Sequence, residues 1–83
     1  MPNKNEIFIS GVDTHLNLVS RTKIDLNKKI DMKEVFKELN TKSLSSVLIA
    51  YNSIDNTEIM ELRAKNLKDM FNNLDFKVRD FIK

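Results

Sequence analysis

Eighty-three residues with one glycine, one proline, one histidine and no cysteine suit a single small domain that has no disulfides, thiolate metal sites or imidazole cluster. Apolar residues make up 41% and charged residues 31% of the chain, the balance of a folded domain rather than a disordered tail. The formal net charge of +2 does not by itself imply nucleic-acid binding, and no apolar run approaches the roughly 20 residues of a membrane helix.

Glu6-Ile-Phe-Ile-Ser10 is rich in β-formers and predicts a strand, and Gly11-Val-Asp13 places the only glycine where a turn is expected. Leu16, Leu18, Ile24 and Leu26 share one parity, which predicts one long strand or two short ones broken near Val19-Ser20. Between Ser20 and Lys29 four basic residues (Arg21, Lys23, Lys28, Lys29) stand against one acid, Asp25. The basic excess is therefore local.

Two segments then echo one another, Ile30-Asp-Met-Lys-Glu-Val35 and Ile54-Asp-Asn-Thr-Glu-Ile59. In each an aspartate is placed to cap the first amides of a helix and a glutamate to reach back, predicting helices from Met32 and Asn56. Met32, Val35, Phe36 and Leu39 form the apolar stripe of the first. Leu44, Val47, Leu48 and Tyr51 repeat at helical spacing and predict another helix from Ser43, its apolar face widened by Ile49 and Ala50. Ile59, Leu62, Leu67, Met70, Phe71 and Leu74 predict the third. Residues 74–83 fit either a strand or a helical face, and helix is preferred because only Asn72-Asn73 argues for a stop.

Enzymatic chemistry has little to stand on. One glycine cannot build a phosphate loop, there is no cysteine nucleophile, and His15 has no carboxylate at a telling spacing. Lys33, Glu34, Lys37 and Glu38 read as a solvated helix face, and Met32 and Met70 as core. The expectation is a non-enzyme that needs no cofactor and no metal.

One strand followed by two helices resembles the ribbon-helix-helix family of DNA-binding dimers, with the resemblance centred on Ser20-Arg-Thr-Lys-Ile-Asp-Leu26. With the third helix read above, the expected fold is α+β, short N-terminal strands followed by three helices; the resemblance implies a homodimeric regulator (repressor, partition adaptor or antitoxin-like) whose paired strands lie in the major groove of duplex DNA. Arg21, Lys23 and Asp25 would then face bases, with Thr22, Ile24 and Leu26 turned inward. Lys28 and Lys29, and Lys42, Ser43 and Ser45 at the start of the second helix, would meet phosphates. Residues 1–19 would form an arm or hairpin strand, 20–54 the strand-helix-helix core, and 55–83 a helical region for dimerisation or a second protein partner.

The alternative is a small α+β inhibitor or adaptor that binds another protein through Ile49 and Tyr51, or through Phe76 and Phe81. The abundance of Lys, Asn and Ile, which AT-rich codons favour, suits a phage or mobile-element origin. On either reading the expected setting is the cytoplasm, with no membrane partner.

Overall fold

Ile7 and Ile9 alternate with Glu6, Phe8 and Ser10, and this period of two forms the first strand, β1 (Glu6–Val12). The computed structural model describes residues 6–39, 44–52 and 57–81. After β1 come β2 (Leu18–Asp25), α1 (Met32–Leu39), β3 (Ser46–Asn52), β4 (Thr57–Arg63) and α2 (Leu67–Phe81). The strands make one antiparallel sheet in the order β2-β1-β3-β4, so two hairpins join through their first strands and leave β2 and β4 at the edges.

Both helices lie on one face. Ile7 and Ile9 of β1, Ile24 of β2, and Val47 and Ile49 of β3 form a buried cluster with Met32 and Leu39 of α1 and Met70, Leu74 and Val78 of α2. Met60 and Leu62 of β4 pack against it. In-register pairs Ile7↔Ile24, Ile9↔Ile49 and Val47↔Leu62 carry this apolar surface across all four strands. The phenyl rings of Phe36 and Phe71 join the helices edge to face, with centroids 5.2 Å apart.

This architecture corrects the expected fold of strands followed by three helices in a ribbon-helix-helix-like dimer. Among the described residues there are two helices and four strands. Ser20 to Asp25 is hydrogen-bonded along β1 of its own chain, where Ile9 faces Thr22 and Ser10 faces Arg21. Ser46–Asn52, within the segment expected to form a helix from Ser43, is instead β3, and residues 57–63, expected to begin the third helix, are β4. β3 is flanked by strands on both sides and is apolar on both faces, a pattern that mimics a broad helical stripe. The capping motif at Ile54-Asp-Asn lies outside the described residues.

Local signals account for the ends of the elements. The Asp31 carboxylate accepts from the backbone N–H of Lys33 at 3.1 Å and of Glu34 at 3.4 Å, capping α1 where expected. Asn66 does the same for α2, accepting from Asp69 N–H at 2.9 Å. The helical preference at residues 74–81 agrees with α2.

Gly11 does not make the turn; it lies within β1 with no positive φ, next to an irregularity in the pairing with β2. The turn is built by Asp13, whose carboxylate accepts from the backbone N–H groups of His15 at 2.8 Å and Asn17 at 2.9 Å, and from the Asn17 amide at 3.3 Å. Leu16 takes the left-handed conformation there, with φ 66°.

These bonds, that from the Asn17 N–H foremost, hold the Asp13 carboxyl below its ordinary value of 3.8. The turn's contribution to stability is therefore complete above the unfolded value and lost as pH falls through the lowered folded one. The backbone amide resonances of His15 and Asn17 are expected to titrate below pH 3.8, and the Asp13→Ala chain to lose that part of the acid limb. A midpoint for these amides at or above the ordinary value would show that the carboxylate does not hold the turn.

Candidate functional site

With both helices on one side, the opposite face of the sheet has no covering layer among the described residues. Its residues are those out of phase with the core. One cross-strand row runs Lys23, Phe8, Ala50, Ile59, and the next runs Arg21, Ser10, Leu48, Glu61. Phe8, Leu48 and Ala50 are half-buried, and Ile59 on the β4 edge is 69% exposed. Apolar groups thus occupy the middle of the face and reach the β4 edge at Ile59, and the charged groups lie along its borders.

The border charges are engaged with one another. The Arg21 guanidinium lies 4.7 Å from the centroid of the Phe8 ring, a cation–π arrangement that holds the arginine along the sheet. Lys23 Nζ is 3.1 Å from a Glu6 carboxylate oxygen, and Arg63 Nε is 3.1 Å from Glu61. Such exposed pairs contribute at most about 1 kcal/mol each. Their relevance is to potential: the strand residues of this parity include the cations Arg21, Lys23 and Arg63 and the anions Glu6, Asp25 and Glu61, three of each. The face is close to neutral.

The residues singled out from sequence are dispersed. Arg21 and Lys23 stand side by side on β2, with Asp25 at its end; the Asp25 carboxylate accepts from the backbone N–H of Asn27 at 2.9 Å and so shapes the turn into α1. Lys28 and Lys29, in that turn, line a shallow groove between β2 and α1 together with Asp31, Glu34 and Glu38, so acids offset their charge. Lys42 and Ser43 lie outside the described residues. Ser45 is structural, its hydroxyl donating to the carbonyl of Asp13 at 2.8 Å.

Of the residues expected to bind protein, Ile49 is fully buried in the core. Tyr51 and Phe81 pack on each other on the helix side, with centroids 4.9 Å apart. The Tyr51 hydroxyl donates to the Glu58 carboxylate, which raises its pKa above the ordinary value. Phe76 alone of that set is open to a partner, at 70% exposure on α2.

Phe8, Leu48 and Ile59 are the surface residues that sequence reasoning missed. Phe8 was legible in principle, being an aromatic residue out of phase with Ile7 and Ile9. Among the described residues no group of three or more carboxylate or imidazole side chains is placed to hold a metal ion, and no helix is long and apolar enough to cross a membrane. Comparison with protein families, with curated proteins and with solved structures finds no match to this chain.

Proposed function

We propose that this chain is a non-catalytic protein-interaction domain that lays the bare face of its sheet on an apolar patch of a partner polypeptide in the cytoplasm. The observation that carries the proposal is the apolar group Phe8, Ala50 and Leu48 on the two central strands, continued to the β4 edge by Ile59, on a face whose charges balance. That is the anatomy of protein interfaces, a desolvated apolar middle inside a polar border. A duplex-DNA surface asks for the reverse, an excess of cations aimed at phosphates. Here Arg21 is stacked on Phe8 and Lys23 is paired with Glu6.

The test begins by capturing partners from host cells, identifying them, and measuring binding between purified proteins. Ile59→Lys and Leu48→Gln are expected to weaken that binding by about tenfold or more each, while melting changes little. Arg21→Ala with Lys23→Ala is expected to matter less, and mixed duplex DNA to show no salt-sensitive retardation. Binding that survives both face substitutions, or DNA retention that falls steeply with salt and vanishes in the Arg21/Lys23 variant, would overturn the proposal.

A further inference from the structure

The outer side of the helical layer carries a second surface, independent of the sheet face. Between α1 and α2 lies a shallow, open groove of about 460 Å³, its apolar lining Phe36, Phe71 and Leu67 and its charged lining Lys33, Lys37 and Lys68. No carboxylate lines it.

From sequence, Lys33, Glu34, Lys37 and Glu38 of α1 read as one solvated face of mixed charge. The helix separates them instead. Glu38 turns toward the sheet and accepts from the Thr22 hydroxyl at 2.7 Å, and Glu34 lines the groove on the β2 side. Lys33 and Lys37, one turn apart, stand on the α2 side opposite Lys68. Among the described residues none of these three lysines forms an ion pair. Three like charges held around an aromatic floor repel one another, and an anion seated among them relieves the repulsion while the rings take an apolar group.

We infer that this groove binds a short acidic segment of a partner protein, one that presents a single phenylalanine or leucine side chain between carboxylates. The floor takes the apolar side chain, and the three ammonium groups take the flanking acids. Length sets the scale: eight residues of α1 span roughly 12 Å, enough for about two helical turns of ligand. The mode is helix-in-groove recognition with charge supplying orientation.

The probe is a fluorescein-labelled peptide of about ten residues with one phenylalanine flanked by glutamates, titrated with the full chain and followed by anisotropy. A control peptide replaces each glutamate by lysine. The acidic peptide is expected to bind and to weaken as salt is raised, and the control not to bind. In the Lys33→Glu/Lys37→Glu/Lys68→Glu chain the preference should invert, with the acidic peptide losing about tenfold or more and the lysine peptide gaining. That inversion is a positive signal that an unfolded variant cannot produce.

Equal binding of both peptides, absence of binding by either, or acidic-peptide binding untouched by charge reversal would overturn the inference. So would a dimer in sedimentation whose dissociation by Phe76→Glu uncovers the groove, since the occupant would then be a second copy. Leu48→Gln and Ile59→Lys are expected to leave peptide binding unchanged, so this result and that for the sheet face stand or fall separately.

Discussion

Leu74→Ala is expected to lower the free energy of unfolding by about 2–5 kcal/mol, the cost of removing a buried leucine and leaving a cavity behind. Leu74 is fully buried at the middle of α2, between Met70 and Val78 on the same stripe. Those three side chains are the contribution of α2 to the buried cluster. Domains of this size have total stabilities of roughly 5–15 kcal/mol, so the loss is a large fraction of the whole. The melting temperature should fall by roughly 4–8 °C per kcal/mol. Phe76→Ala provides the contrast: two residues on and 70% exposed, it is expected to change stability by no more than about 0.5 kcal/mol. Urea unfolding of both chains makes the comparison, and near-equal midpoints would mean that α2 does not seat on the sheet through this stripe.

The contrast between Leu74 and Phe76 also shows what a sequence pattern can carry. Residues 67–81 repeat with helical period, and this part of the expected third helix is helical because a helix on one face of a sheet needs one apolar side only, whereas Ile59 and Leu62, read into the same stripe, belong to β4. β1 and β2 are legible for a similar reason, since each has one face toward the helices and one away. β3 breaks the correspondence. Its inward Val47 and Ile49 and outward Leu48 and Ala50 are all apolar, because one set meets the helices and the other forms the center of the bare face. An unbroken apolar run has no period to read, and the helical spacing of Leu44, Val47, Leu48 and Tyr51 is a by-product of that fact. The proposed interaction surface and the misread strand are thus one feature: the outward residues that make the face apolar also hide the strand.

Pairing partners are equally absent from a local pattern. The alternation of Arg21 and Lys23 with Thr22 and Ile24 is the same whether β2 pairs with β1 or with a second copy of itself. What decides is long-range, namely that Ile7 and Ile9 lie opposite Ile24 and Thr22 over the same core. The charge separation on α1 is hidden likewise, since Lys33, Glu34, Lys37 and Glu38 are assigned to sides only by the positions of β2 and α2.

Gly11 is where a substitution reveals the packing that sequence alone assigned to a turn. A Cβ there would lie 2.5 Å from Ser20 Oγ and 2.7 Å from Leu44 Cδ2, closer than side chains tolerate. The Leu44 atom is the tip of a flexible side chain and can yield. Ser20 cannot do so at no cost, because its hydroxyl donates to the Leu39 carbonyl at the end of α1, at 3.0 Å. Moving it leaves that carbonyl without its donor. Gly11→Ala is therefore expected to destabilise the chain by about 1–3 kcal/mol. Ser20→Ala removes the obstructing oxygen in advance, so Gly11→Ala should cost less in that background, with a coupling of about 0.5 kcal/mol or more. The four chains of this double-mutant cycle, compared by urea unfolding, separate close approach from turn formation. A glycine required for its backbone freedom would give additive effects, since the Ser20 hydroxyl has no bearing on φ at Gly11.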